Sequence, residues 1–151
     1  MDAFTEGDGF RGSLGFLLRR AQKLMALQAE QIFEGKGLTL SQWLVLKLMD
    51  EGVVTTPGDA AKMLVHNTGA TTRLIGQLVN LGLVERTRGA DDLRVVSLAL
   101  TDAGRTMARA WAGAMAGFFD ELLFDFTSAE AATFIGLLGR LVDQLEARDT
   151  S

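Results

Sequence analysis

The two ends of the chain carry apolar residues at helical spacing. Between positions 13 and 33, apolar side chains recur every three or four residues, and the same spacing returns over 101–124 and 128–147. A break is predicted between the last two helices, near residues 125–127. Together these helices bear more apolar surface than a small domain buries, so we expect them to form a dimer interface.

The middle of the chain contains start signals for three shorter helices. Thr39 and Gln42 have the spacing of a capping box. Thr56 can cap a helix whose first position is Pro57, and Asn67 is a good N-cap for the next one. The predicted helices therefore run from 39 to about 50, from 58 to 64 and from 68 to 81.

Beyond Gly82 the pattern becomes that of a β-hairpin. Residues 83–87 predict a short strand, and apolar residues alternate from Val96 to the end of a second strand over 95–100. The loop at 88–93 joins the two strands. A short helix, a brief turn, a second helix and a hairpin, in that order, are typical of a winged helix-turn-helix.

The predicted fold is mainly α-helical with a small β-hairpin wing. We expect residues 38–100 to form the winged helix-turn-helix head. Segments 13–36 and 101–147 are expected to form a dimerisation region. Residues 1–12 predict a flexible N-terminal arm.

The helix over 68–81 has two unlike sides on a helical wheel. The predicted inner side consists of Thr71, Leu74, Ile75, Leu78 and Leu81. The predicted outer side consists of Gly69, Thr72, Arg73, Gly76, Gln77 and Asn80. The outer side is small and polar, which leaves room for a DNA groove or for another helix to come close.

Charge adds little support for nucleic acid by itself. The formal net charge is −4. Residues 57–105 carry six basic and five acidic side chains, so the acidic excess lies outside the middle of the chain. This distribution is compatible with a modest basic face on an acidic body.

Composition argues against several kinds of chemistry. The chain has no cysteine and one histidine, which excludes thiol catalysis, disulfides and a His-rich zinc site. No phosphate-binding loop or nucleophile elbow occurs, so we expect no enzyme activity, no metal and no cofactor. The N-terminus is acidic and no apolar run is long enough for a membrane helix, so we expect a cytoplasmic protein.

The sequence resembles the MarR (multiple antibiotic resistance regulator) family of winged helix-turn-helix transcriptional regulators. The segments that carry the resemblance are LGFLLRRA (14–21), GLTLSQWLVLKLM (37–49), HNTGATTRLIGQLVNLGLVERTR (66–88) and DDLRVVSLALTDAGR (91–105). The resemblance implies a triangular homodimer that binds double-stranded DNA. It also implies that a small aromatic or phenolic ligand, bound between head and dimerisation region, weakens DNA binding.

The resemblance assigns DNA-facing positions residue by residue. In the recognition helix they are Thr68, Gly69, Thr72, Arg73 and Gly76, and in the wing they are Asp92 and Arg94. In an extended hairpin arm the two wing side chains would point to one face, so the carboxylate would orient the guanidinium towards a minor groove. Arg86 and Arg88 are candidates for phosphate contacts or for solvated strand edges.

A ligand pocket is a separate hypothesis from the residues. Trp43, Trp111 and Met115 could line it, and Arg19 or Arg20 could clamp a carboxylate. The competing interpretation is that the two tryptophans and the methionine are core residues and the arginines form structural ion pairs.

Two functions remain open at this point. The first is a dimeric regulator, acting as a repressor, that reads a pseudo-palindromic operator and is released by a ligand. The second is a helical dimer whose winged head binds protein and has no operator of its own. The glycines on the reading face and the acidic net charge favour the second.

Overall fold

The computed structural model describes residues 9–64 and 67–149. It contains seven α-helices and one two-stranded antiparallel sheet within those residues. The elements in chain order are α1 (Leu14–Phe33), α2 (Leu40–Asp50), α3 (Pro57–Leu64), α4 (Thr68–Asn80), β1 (Val84–Arg88), β2 (Val96–Leu100), α5 (Asp102–Ala110), α6 (Ala112–Leu122) and α7 (Ser128–Asp149).

The predicted helix starts are confirmed by side-chain caps. Thr39 and Gln42 form a reciprocal capping box at α2. Asn67 Oδ1 accepts the backbone N–H of Ala70 at 2.7 Å and so begins α4. At α3, Asp59 accepts the backbone N–H groups of the two preceding threonines, and these hydrogen bonds hold the pKa of its carboxyl below the usual value.

The core of the head lies where α2 meets α4, α5 and the hairpin. The most completely buried aliphatic side chains there are Val45, Leu46, Ile75, Leu78 and Val84. Burying one such side chain stabilises the fold by roughly 1.5–3 kcal/mol. This cluster fixes the position of α4 against α2.

The hairpin forms as predicted, with its first strand shifted by one residue. Val84 pairs with Leu100 and Arg88 with Val96, and Leu98 is the buried residue of the second strand. The Leu98 N–H also donates to the Thr55 carbonyl at 2.8 Å. The extended segment before α3 therefore ties the hairpin to the head.

The predicted helix over 101–124 is interrupted, which corrects that interpretation. α5 ends at Ala110 and α6 begins at Ala112, with Trp111 between them. The buried indole N–H of Trp43 donates to the Ala108 carbonyl at 3.0 Å. A side chain that engages a helix carbonyl in this way is a known cause of helix breaks.

The first residues and the end of the chain need separate description. Residues 1–8 of the predicted flexible arm lie outside the described residues. Its last four residues, Gly9–Gly12, form a 3-10 helix, and the Phe10 ring lies 5.6 Å from that of Phe16. The ring contact places these four residues beside α1, and the flexibility of the arm stays a prediction.

The chain divides into two compact units, one reaching to Met115 and one from Ala116 onward. The second unit contains the end of α6 and all of α7. No residue of α7 is buried. Its exposed large apolar side chains are Phe134, Ile135, Leu137, Val142 and Leu145.

Candidate nucleic-acid interface

Helix α4, the predicted recognition helix, packs with the predicted face inward, apart from the residue that caps its C-terminus. Thr71, Leu74, Ile75 and Leu78 are buried. Leu81 was also predicted to face inward, but it is about half exposed. Its position as the C-cap of α4 carries it past the face that packs on α2.

The solvent side of α4 begins at its first turn. Thr68, Gly69, Thr72 and Arg73 are exposed. The Thr72 hydroxyl donates to the Thr68 carbonyl at 2.8 Å, which fixes the threonine rotamer and leaves its oxygen free to accept. This end of α4 is a low, polar surface with one cation.

The other end of α4 is turned towards α1 and α2. Gln77, predicted on the outer side, accepts a hydrogen bond of 3.1 Å from Nε2 of the buried Gln42. Gln77 and Asn80 both line a cavity next to α1. Both residues are also exposed, so the wheel prediction of an outer side holds for them.

Arg86 of the wing lies over the recognition helix. A side-chain atom built at Gly76 would meet Nη2 of Arg86 at 3.6 Å. Arg86 sits on β1 opposite Leu98 and its side chain is exposed. Arg86 thus brings a second cation, besides Arg73, to the α4 surface beside Gly76.

At the wing tip, Asp92 holds Arg94 in one orientation. Asp92 Oδ1 accepts Nε of Arg94 at 3.1 Å and Oδ2 accepts Nη2 at 3.2 Å, while the Arg94 backbone N–H also donates to Oδ1 at 2.9 Å. These bonds from Arg94 lower the pKa of the Asp92 carboxyl. The Arg94 side chain nevertheless remains 92% exposed.

The reason for this pairing differs from the predicted one. Asp92 and Arg94 lie in the loop between the strands, so strand alternation does not bring them together. A local turn does, because the same carboxylate accepts both the backbone and the side chain of Arg94. The alternation argument was wrong, although the predicted contact is present.

Arg88 closes the wing loop. Its Nη1 donates to the Leu93 carbonyl at 2.8 Å, while the Gly89 N–H donates to the Val95 carbonyl at 2.8 Å. A side chain at Gly89 would come within 2.7 Å of the Asp92 carbonyl oxygen. The loop shape that presents Arg94 therefore depends on a glycine.

The residues of the predicted ligand pocket differ in how far they are buried. Trp43 and Met115 are buried, and Phe33 lies between the rings of Trp43 and Trp111 at 5.9 and 5.6 Å. Arg19 and Arg20 are exposed on α1. Neither of the two cavities described next is lined by these five residues, whose ligand role stays a prediction.

Two cavities are lined by described residues of the first unit. The larger, about 750 Å³, is formed by the end of α1, the turn after it, the start of α2 and the end of α4. The smaller, about 210 Å³, lies between α2, β2 and α5 beside the Asp50–Arg109 ion pair. Sequence patterns did not indicate the larger cavity, since its residues come from three separated segments.

No group of three or more metal-binding side chains occurs among residues 9–64 and 67–149. No helix in that part of the chain is both long and apolar enough to cross a membrane.

Comparison with known proteins identifies this arrangement. Residues 36–94 match the model of the MarR family. Over these residues the chain is similar to MarR-family proteins. The match covers α2, α3, α4, β1 and the wing loop as far as Arg94, and it ends before β2.

The individual proteins that this chain resembles are distant in sequence. The Bacillus subtilis HTH-type transcriptional regulator YdgJ is 27% identical over 74% of this chain and 70% of its own. The organic hydroperoxide resistance transcriptional regulator of the same organism is 29% identical over 60% of this chain and 62% of its own. A variant of Escherichia coli MarR, solved with operator DNA, is 27% identical with a TM-score of 0.74, covering 85% of this chain and 92% of that one.

Proposed function

We propose that this protein is a DNA-binding transcriptional repressor of the MarR family that acts as a homodimer on a pseudo-palindromic operator. One observation carries the proposal. Arg94 is held by three hydrogen bonds to Asp92 and is still almost fully exposed at the tip of the wing. A cation fixed in place but left open to solvent is preorganised for an anionic partner.

The α4 surface supports entry into the major groove. Thr68, Thr72 and Arg73 offer hydrogen-bonding groups, and Gly69 lets the backbone of the first turn approach base edges or phosphates. The N-terminus of α4 adds a partial positive charge on this side. Arg86, above Gly76, is suited to a phosphate contact at the edge of the same groove.

The wing supports a second contact in the minor groove. A guanidinium that projects from a narrow hairpin can enter the strongly negative minor groove of A·T-rich DNA. Arg88 is used to close the loop, so its contribution is to wing shape. The operator complex solved for the MarR variant is consistent with DNA as the partner.

The exposed apolar surface supports the proposed homodimer. Leucines 14, 17, 24 and 27 of α1 are 43–67% exposed, and the apolar residues of α7 listed above are 44–59% exposed. Apolar patches of this extent mark an association surface. Two copies related by a two-fold axis would read half-sites about one helical turn, roughly 10 bp, apart.

Release by a small ligand completes the proposed cycle. Sensing of hydroperoxide through a thiol is excluded, because the chain has no cysteine. The cavity of about 750 Å³ reaches Gln77, Asn80 and Leu81 at the end of α4. A ligand there would act directly on the element that reads DNA.

Selection of bound fragments from a genomic DNA library tests the proposal. We expect a recovered pseudo-palindrome and a footprint on both half-sites. We also expect affinity for duplex DNA to fall steeply with salt, since each phosphate contact adds roughly 0.9 to the log–log slope. No binding to any duplex at low salt would instead support the protein-interaction module.

A further inference from the structure

The larger cavity has a distinct charge pattern. Of its lining residues, all within the described part of the chain, the charged ones are Glu30 and Glu34, and both are acidic. Phe33, Leu38 and Leu81 add apolar surface. Lys36 lies in the same turn but does not line the cavity. The charge of the cavity lining therefore differs from that of a site for an aromatic acid, because the carboxylate of such a ligand would need a basic side chain.

The polar floor of the cavity is a chain of hydrogen bonds. Gln42 Oε1 accepts the Thr39 N–H at 2.9 Å, and its Nε2 donates to Gln77 Oε1 at 3.1 Å. Both ends of a buried side chain are thus used, one for the cap of α2 and one for α4. The remaining lone pair of Gln77 Oε1 is an acceptor at the cavity.

Glu30 is fixed at the cavity wall. Its Oε2 accepts the backbone N–H of Leu40 at 3.3 Å, so the carboxylate spans from α1 to the start of α2. Glu34 follows one turn later, at the end of α1. Two carboxylates beside amide oxygens and apolar walls are complementary to a positively charged amine with an apolar body.

We propose that this cavity binds a small organic cation, an amine or ammonium joined to an aromatic or aliphatic body, and that occupancy changes the position of α4. The ammonium would lie between Glu30 and Glu34 and donate to Gln77. Its body would lie against Leu38 and Leu81. The regulatory half of this proposal rests on the DNA-binding function proposed above, whereas binding itself does not.

A matched set of ligands tests the charge requirement. Calorimetric titration of the full chain with 1-naphthylmethylammonium, 1-naphthylmethanol and 1-naphthylacetate compares a cation, a neutral molecule and an anion with the same ring system. We expect the ammonium to bind at least tenfold more tightly than the acetate. Equal or tighter binding of the acetate, or no binding of the ammonium, overturns the proposal.

Two variants locate the site. E30Q combined with E34Q should weaken ammonium binding at least tenfold, because both carboxylates are lost at nearly constant shape. E51Q removes the same charge at an exposed position that does not line the cavity, and it should bind as the parent does. If the double variant does not fold, E34Q alone is used, with a loss of at least threefold expected. Parent-like affinity in the folded variant places the ligand elsewhere and overturns the proposal.

The link to α4 has its own readouts. Ammonium binding should shift the NMR signals of the Gln42 and Gln77 side-chain amides and reduce affinity for duplex DNA at least fivefold. Ammonium binding with unchanged DNA affinity rejects the regulatory half. Ammonium binding by a chain that binds no duplex supports the cavity assignment and rejects the proposed function. DNA binding without ammonium binding supports the proposed function and rejects the cavity assignment.

Discussion

Arg109 of α5 donates two hydrogen bonds of 3.0 Å each to Asp50 of α2, from Nε to Oδ2 and from Nη2 to Oδ1. The Asp50 side chain is only 9% exposed, while that of Arg109 is 64% exposed. The bidentate pair fixes the end of α2 to the last turn of α5. Those two helices connect the winged head to the start of the predicted dimerisation region.

Asp50→Asn should make the protein less stable in a pH-dependent way. The hydrogen bonds from Arg109 lower the pKa of the Asp50 carboxyl below its ordinary 3.8 and raise the pKa of Arg109. A lowered carboxyl pKa stabilises the fold fully above the unfolded value and loses that effect as pH falls through the folded value. Melting temperature should therefore differ between parent and variant at pH 7, and the difference should shrink below about pH 4.

Asp102→Asn is the matched control for that comparison. Asp102 pairs with Arg105 at 3.4 Å, but its side chain is fully exposed. An exposed pair of this kind contributes little to stability. If the Asp50 and Asp102 variants have the same melting temperature at both pH values, the Asp50–Arg109 ion pair does not contribute to stability.

Arg94→Ala should weaken operator binding roughly tenfold or more at one fixed salt concentration. The substitution removes the exposed guanidinium, and specific arginine contacts to DNA are worth on the order of 1–3 kcal/mol. Asp92→Ala should weaken binding less, since the arginine remains but is no longer held. Lys36→Ala, in the turn after α1, serves as the control. An Arg94 variant that binds as the parent does would remove the wing from the interface.

Gly89→Ala tests whether wing shape matters apart from wing charge. The new methyl group would press on the Asp92 carbonyl, so the loop must move and Arg94 with it. We expect a several-fold loss of operator affinity with little change in melting temperature, because the loop is exposed. Ala90→Gly, at the next position, should leave affinity near that of the parent. Equal affinity for Gly89→Ala and parent would show that the loop adapts freely.

Local sequence signals were enough to predict the helices and the hairpin of the head. Contacts between segments that are distant in the sequence could not be predicted in this way. The helix caps and the alternating strand pattern each involve residues that are close together in the sequence. They could therefore be recognised at Thr39, at Asn67 and after residue 95. Beside the break at Trp111, the Ala108 carbonyl accepts a hydrogen bond from the Trp43 indole, which is 65 residues away from Ala108 in the sequence. The Gln42–Gln77 bond and the cavity behind it also join separated elements.

Gly104→Ala should destabilise the fold by about 1–3 kcal/mol, the usual cost of forcing a methyl group into a packed site. A side chain at this buried position would overlap the Leu83 carbonyl, where α5 crosses the start of β1. Thr101 lies beside this crossing, since its N–H donates to the same carbonyl at 3.1 Å. Gly15→Ala on α1, with open space at the substituted position, should instead be neutral or stabilising. Chemical denaturation measures both, and equal stability of the two variants would contradict the predicted close approach.

Ile135→Asp on α7 should convert the protein from dimer to monomer at micromolar concentration. Ile135 is 59% exposed, and together with Phe134, Val142 and Leu145 it forms an apolar side that the single chain does not cover. A charge placed there costs little in a monomer, because the position is already solvated, but it must be desolvated in a dimer. Arg140→Asp, on the opposite side of the helical wheel, should stay dimeric. Sedimentation velocity distinguishes the dimer from the monomer. Operator affinity should also fall on dissociation, because a monomer can contact only one half-site at a time. A parent that sediments as a monomer would reject the proposed dimer itself.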